Sequence, residues 1–244
     1  MKKNKTHFGY NEINIEEKEP LVKEVFSSVA SNYDIMNDIM SIGLHRLWKY
    51  YVAKDISIKD NDHILDLAAG SGDLSILLKK KNPKVFIIHS DINQSMLAEG
   101  QKKIIDNGFI IDSMLINAEQ IPFPDNSFNL VSIGFGLRNM TNKQLVLSEV
   151  FRCLKPGGRI VILDFSRIHP SLKMIYDLFS FKIIPKIGKK IANDEKSYQY
   201  LAESIRMHPD QETLLQMLNE AGFCKTTYTN LTAGIVAIHS GYKS

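Results

Sequence analysis

The chain has 244 residues, 44% of them hydrophobic and 23% charged, with 30 basic and 27 acidic residues and a net charge of +3. That balance excludes extended disorder, and the charge gives no support to a nucleic-acid partner. No run approaches the roughly 18 uncharged apolar residues of a spanning helix. The basic start MKKNKTHFGY precedes no apolar stretch, and Cys153 and Cys224 are too few for a disulfide framework; a single cytoplasmic domain over residues 1–244 is expected.

Residues 20–54 read as helices, with Val22, Val25, Phe26 and Val29 on one face, and residues 1–54 are expected to form an N-terminal helical cap. Apolar runs then alternate with helical patterns: His63–Leu67, Val85–Ile88 leading to Asp91, Ile110–Ile116, Phe128–Ile133 and Arg159–Phe165. Continuous apolar strands separated by helices predict a mainly parallel sheet covered on both faces. Thr141 and Gln144 have capping-box spacing ahead of a stripe of Leu147, Val150, Phe151 and Leu154, and Pro156-Gly157-Gly158 is expected to end that helix. A helical insertion is predicted over 167–208. Pro209 then opens a helix that carries Leu214, Met217, Leu218 and Ala221 inward and closes at Gly222. The strands Thr226–Leu231 and Ile235–Ser240, joined at Thr232-Ala233-Gly234, predict an antiparallel C-terminal hairpin. The cap and the insertion are expected to form lids over the C-terminal ends of the strands, where ligands of open α/β sheets bind.

The chemistry is written most densely at Ile64-Leu65-Asp66-Leu67-Ala68-Ala69-Gly70-Ser71-Gly72-Asp73-Leu74, a strand, an acidic residue, a glycine turn and a helix start. Gly70 and Gly72 permit close backbone approach of a ligand. Ser75 stands where a dinucleotide fingerprint needs its third glycine, and Asp66 and Asp73 would repel a pyrophosphate. The stretch suits a cationic nucleoside such as S-adenosylmethionine, although Asp73 at a helix start is also explained by the helix dipole alone. Asp91, at the end of the second strand, is placed to accept both ribose hydroxyls, or to start the next helix as a turn residue. Asn117 and the backbone at Ala118 are placed to read an adenine edge. The histidines show no ligand spacing with Cys or carboxylates, so no metal is expected.

Tyr33-Asp34-Ile35-Met36-Asn37-Asp38-Ile39-Met40-Ser41 with His45 and Trp48, and Arg152-Cys153-Leu154-Lys155-Pro156-Gly157-Gly158-Arg159 running to Asp164-Phe165-Ser166, resemble the two signatures of the ubiquinone/menaquinone biosynthesis C-methyltransferases (the UbiE/MenG family). Thr6-His7-Phe8-Gly9-Tyr10, Phe135-Gly136-Leu137-Arg138-Asn139 and Ser197–Ile205 resemble further blocks, so the likeness spans almost the whole chain. Ala69 and Ser71 stand where the family usually has Gly and Thr, Gly134 where many members have a cofactor-contacting Ser, and Cys153 and Asp164 where Val and Glu are usual.

The resemblance implies a class I S-adenosylmethionine-dependent methyltransferase (Rossmann-like) fold. The cofactor-binding residues would be Asp66, Gly70, Ser71, Gly72, Asp91, Asn117, Ala118 and Gly134. The implied reaction moves a methyl group to a ring carbon of a polyprenylated quinol, demethylmenaquinol or a methoxy-polyprenyl-benzoquinol. Ring-carbon alkylation requires loss of a phenolic proton, so a base or an oxyanion stabiliser is needed. Arg138, Tyr33, Asp34 and His45 are the candidates: Arg138 as a fixed cation at the acceptor rim, His45 by its near-neutral titration or as a packing residue beside Trp48, and Tyr33 and Asp34 at the acceptor or as residues that cap or lock the lid helix. Residues 172–190 mix Met174, Ile175, Leu178, Phe179, Phe181, Ile183, Ile184 and Ile187 with five lysines. They read either as a lid helix with a solvated edge or as an isoprenoid groove and transient contact with the inner face of the membrane. A homodimer and a quinone-biosynthesis complex are compatible partners. Methylation of another small molecule or of RNA, and a non-catalytic scaffold, are the competing readings.

Overall fold

A computed structural model describes residues 5–178 and 195–244. The chain opens with a small hairpin, β1 (Lys5–Phe8) and β2 (Asn11–Asn14), turning at Gly9 with φ +57°. Three helices follow, α1 (Ile15–Val29), α2 (Tyr33–Ser41) and α3 (Leu44–Asp55). The alternating region then runs β3 (His63–Leu67), α4 (Asp73–Lys81), β4 (Phe86–Asp91), α5 (Gln94–Asp106), β5 (Asp112–Leu115), β6 (Phe128–Gly134), α6 (Lys143–Cys153) and β7 (Leu154–Phe165). After α7 (Lys173–Leu178) and α8 (Glu195–Met207), the chain ends with α9 (Gln211–Glu220), β8 (Cys224–Leu231) and β9 (Val236–Tyr242).

The main sheet has the order β5-β4-β3-β6-β7-β9-β8. Strands β5 to β7 are parallel, and β9 is antiparallel to both β7 and β8. The order reverses between β3 and β6, and a crevice opens there beyond the strand ends. Side chains alternate across the sheet with the period of two that strands impose. Ile64 joins Trp48, Val52, Leu78, Ile104 and Tyr198 on one face, whereas Leu65 and Leu67 join Val131, Ile133, Leu147, Val150 and Leu218 on the other.

The parallel sheet and the terminal hairpin stand as expected. The N-terminal hairpin is an addition to the all-helical cap expected over residues 1–54. The third strand is shorter than expected, because Ile110 is 92% exposed and precedes it. The α6 cap is Asn142, whose side chain accepts from Leu145 N at 3.1 Å, whereas the Thr141 amide donates to Glu119 Oε1. Leu154 and Pro156-Gly157-Gly158 lie inside β7 rather than ending the helix: pairing with Phe128 and a register shift before Leu130 absorb the irregular residues. Asp210 rather than Pro209 caps α9. Within the expected lid insertion, Tyr198, Leu201 and Ala202 bury α8 in the core. Of the apolar run 172–190, residues 179–190 lie outside the described residues. Among the described residues, no helix is long and apolar enough to cross a membrane, and no cluster of metal-binding side chains occurs.

Candidate cofactor cleft and a neighbouring basic cavity

The turn after β3 is built from left-handed residues, Ala68 (φ +52°), Gly70 (φ +54°) and Gly72 (φ +76°). This tight path folds the turn back onto β4: the Ala69 amide donates to Ser90 O at 2.8 Å, and the Gly70 amide donates to Asp91 Oδ2 at 2.9 Å. The other oxygen of Asp91 accepts from Asn93 N at 2.9 Å. Burial pushes the Asp91 carboxyl above the usual carboxylate range, and the amide donors from Asn93 and Gly70 act against that shift. Asn93 then caps α5 and, through Nδ2, donates to Lys23 O and Ser27 Oγ, so α1 is tied across the turn.

A cleft of about 790 Å³ lies between this turn and α1. Tyr33, Ala68, Gly70, Asp91, Asn117, Ala118, Phe135 and Gly136 line it, with Glu19, Lys23 and Phe26 of α1 as its cover and Met96, Asn139, Met140 and Thr141 at its side. The structure thus brings together Gly70, Asp91, Asn117, Ala118 and Tyr33 from the residues singled out in the sequence. The α1 side chains carried no sequence signal beyond an amphipathic face, since nothing local marks Glu19 and Lys23 as cleft residues.

Other singled-out residues lie elsewhere. Asp66 is fully buried beneath the turn, where it accepts from Ser75 Oγ at 2.6 Å and Ser132 Oγ at 2.7 Å. Burial raises its pKa, with the two hydroxyls opposing. Gly72 starts α4, and a Cβ there would meet Ile104 at 3.2 Å. Gly134 ends β6 against Leu74, and its place in the cleft wall is taken by Phe135 and Gly136. Ser71 donates to Asp34 Oδ1 at 3.1 Å on α2 and faces a separate surface cavity. Asp73 is bridged by Lys49 at 2.7 Å and Lys103 at 2.6 Å. Burial acts against ionisation, but the two ammonium groups hold its carboxyl well below the usual range.

The acidic character anticipated from Asp66 and Asp73 therefore comes from different residues. Three carboxylates, Glu19, Asp91 and Glu119, line the cleft beside the single ammonium of Lys23. A cationic nucleoside fits this set, and a pyrophosphate does not. Glycine at 136 lets the segment after β6 pack against the turn, since a Cβ there would stand 2.7 Å from Ala68 Cβ.

His45 is not in the cleft. It is 3% exposed beside Trp48, with Nε2 2.8 Å from Asp38 Oδ1, and it joins α3 to α2. Burial lowers its pKa, Lys49 adds to the effect and Asp38 opposes it. Its place is that of the packing histidine rather than of a base at the acceptor.

Arg138 sits in a 3-10 turn after β6 and faces a second cavity of about 440 Å³. Its guanidinium is ion-paired with Asp164 at 3.1 Å, both side chains being at most 4% exposed, and it also donates to Phe135 O. Lys18, Lys143, Tyr200 and the hairpin residues Thr6, His7 and Gly9 line the same cavity. Thr141 borders both cavities, so the Met140–Thr141 segment is the partition between them.

Comparison with known proteins agrees with this architecture. The chain is similar to the ubiquinone/menaquinone biosynthesis C-methyltransferase UbiE of Neisseria meningitidis, at 54% identity over 242 residues and 98% of each chain. It is similar to UbiE of Laribacter hongkongensis, at 51% identity over 239 residues with the same coverage. A SAM-dependent methyltransferase of Thermotoga maritima superposes with a TM-score of 0.63 at 16% identity, over 91% of this chain and 100% of that one, which is a likeness of fold. The ubiE/COQ5 methyltransferase family model matches residues 13–243, and with full-length identity above half, the chain belongs to that family.

Proposed function

We propose that the protein is an S-adenosylmethionine-dependent C-methyltransferase acting on a ring carbon of a polyprenylated quinol, demethylmenaquinol, a methoxy-polyprenyl-benzoquinol or both, in menaquinone and ubiquinone biosynthesis. The observation that carries this reading is the near-complete match to the C-methyltransferases named UbiE, joined to a cleft whose charges suit a cation.

S-adenosylmethionine supplies an electrophilic methyl group on a positively charged sulfur. Asp91 would hold the ribose hydroxyls, since each of its oxygens receives one backbone N–H and retains accepting capacity. Asn117 and Ala118 would border the adenine, with the small Ala118 side chain leaving room for the ring. Tyr33, whose ring lies beside Gly70, closes the cleft from α2 and helps exclude water. Arg138, held on Asp164, is a fixed cation rather than a base and would steady negative charge on a phenolic oxygen.

Membership in a quinone-forming assembly and peripheral membrane contact through residues 172–190 belong to the same reading. Liposome flotation of the full chain tests the latter. The activity itself is tested by calorimetry with S-adenosylmethionine followed by methyl transfer to each quinol. Binding with turnover is expected. Binding without turnover on either quinol would favour a scaffold instead.

A further inference from the structure

The two neighbouring cavities carry opposite charge. The cofactor cleft has an excess of carboxylates, whereas Lys18, Lys143 and Arg138 converge on the second cavity. The Nζ atoms of Lys18 and Lys143 both donate to a single carbonyl oxygen, that of Met140, at 3.2 and 3.3 Å. That carbonyl belongs to the partition between the cavities. Among the described residues, neither lysine has a carboxylate within ion-pair distance, and the buried Nε of Arg138 lacks a hydrogen-bond partner. Asp164 already holds the Arg138 guanidinium, and Glu119, the carboxylate that acts on Lys18, accepts at Oε1 from the Thr141 and Asn142 amides. A basic, partly enclosed cavity with spare donors calls for an oxyanion. Tyr200, which lines it, donates to Asn139 Oδ1 at 3.1 Å, and Asn139 lines the cofactor cleft, so the two cavities are also coupled across the partition.

Resting on the quinol reading above, we propose that the second cavity receives the ionising hydroxyl of the aromatic acceptor and that Lys143 is the base that takes its proton. The O–H bond breaks, the proton passes to Lys143 Nζ, and the electron pair stays on oxygen and is delocalised onto the ring carbons. The ring carbon would take the methyl group of S-adenosylmethionine as its bond to sulfur breaks, leaving a neutral thioether; once that carbon has lost its hydrogen to water as a proton, the Lys143 ammonium returns its proton to the phenolate oxygen. Lys18 and Arg138 remain charged throughout and hold the phenolate.

The electrostatic setting of Lys143 suits this role. Burial lowers its pKa to about 8, Lys18 on α1 pushes in the same direction, and Asp164 on β7 and Glu119 ahead of β6 push back. Arg138, Tyr200 and His7 line the same cavity, and His208, after α8, lies close enough to interact with Lys143. An amine so tuned supplies a neutral fraction near physiological pH, which an ordinary lysine does not.

The test uses the full chain with Lys143→Met and Lys143→Arg. In the absence of cofactor, 1-naphthol is titrated spectroscopically against each protein, since its anion absorbs at longer wavelength than the neutral phenol. Bound naphthol is expected to ionise at lower pH than free naphthol in the wild type and in Lys143→Arg, and at least about tenfold less readily in Lys143→Met. With cofactor and demethylmenaquinol, kcat is expected to fall by about 100-fold or more in both variants, because arginine keeps the charge but cannot accept the proton. Affinity for S-adenosylmethionine should stay within about threefold, as Lys143 does not line that cleft. The wild-type kcat profile should rise with pH to an inflection at about pH 8.

Recovery of kcat by Lys143→Arg, unperturbed ionisation of naphthol in the wild type, or a flat acid limb would overturn the assignment. A wild-type enzyme inactive on both quinols would sink the quinol reading instead, and the naphthol titration would still report on the cavity.

Discussion

Burial of His208 couples the stability of this fold to pH. Both ring nitrogens are inaccessible and lack a hydrogen-bond partner among the described residues. Burial depresses its pKa from 6.5 to about 4, with Asp164 opposing and Lys143, Arg138 and His239 reinforcing the shift. In the unfolded chain the ring takes a proton below about pH 6.5, whereas in the folded chain it stays neutral until about pH 4. Stability linked to His208 is therefore complete above pH 6.5 and is lost as pH falls from there through the folded value. At about 1.4 kcal/mol per unit the loss amounts to about 3 kcal/mol. His208→Phe keeps a ring of similar shape and removes two unsatisfied nitrogens, so at pH 7.5 it should be neutral or stabilising by about 1 kcal/mol. Urea unfolding of both proteins at intervals from pH 7.5 to 4.5 should give curves that separate steadily below pH 6.5, with the variant losing less. A residual slope is expected in the variant, since burial also depresses His45 and His239. Parallel curves across the whole range would refute the argument.

Three other perturbations follow from the geometry. Asp91→Ala removes a charged acceptor of two backbone amides and should weaken S-adenosylmethionine binding by about 10- to 100-fold in calorimetry, on the order of 1.5–3 kcal/mol; unchanged affinity would remove Asp91 from the site. Asp164→Asn leaves the Arg138 guanidinium buried without its counter-ion and should lower unfolding stability by about 3 kcal/mol in urea. Asp34→Ala breaks the contacts of α2 with Ser71 and Lys103. Because the Asp34–Lys103 pair is about a third exposed, the stability loss should stay under about 1 kcal/mol, while hydrogen exchange over residues 33–41 should accelerate. Unchanged exchange would mean that α2 is held by its apolar face alone.

The parallel strands were legible because each is an apolar run of β-branched and aliphatic residues with little alternative use. β1 and β2 were not, since four half-exposed residues apiece offer neither period nor apolar content. Their order comes from partners far along the chain: Phe8 stacks on Tyr200 at 4.2 Å, and Tyr10 N donates to Glu203. The same distinction runs through the site. Gly70, Asp91, Asn117 and Ala118 could be read because each sits at a strand end, where topology fixes its neighbourhood. Asp66 and Ser71 stand equally close in sequence, yet hydroxyls of Ser75 and Ser132, and the carboxylate of Asp34, claim them first. Lys143 and Lys18 lie 125 positions apart by number and meet only through the Met140 carbonyl, so no local pattern could pair them.

The chain of charges running Lys49–Asp73–Lys103–Asp34 joins α3, α4, α5 and α2 around the glycine turn. Its inner half is buried and its outer half meets solvent. Salt in the medium acts on the outer half first. The outer pairs can therefore weaken while the site beneath them, where Asp66 accepts from two hydroxyls, stays screened from solvent. Raising the ionic strength is therefore expected to speed hydrogen exchange in α2 before it reaches β3.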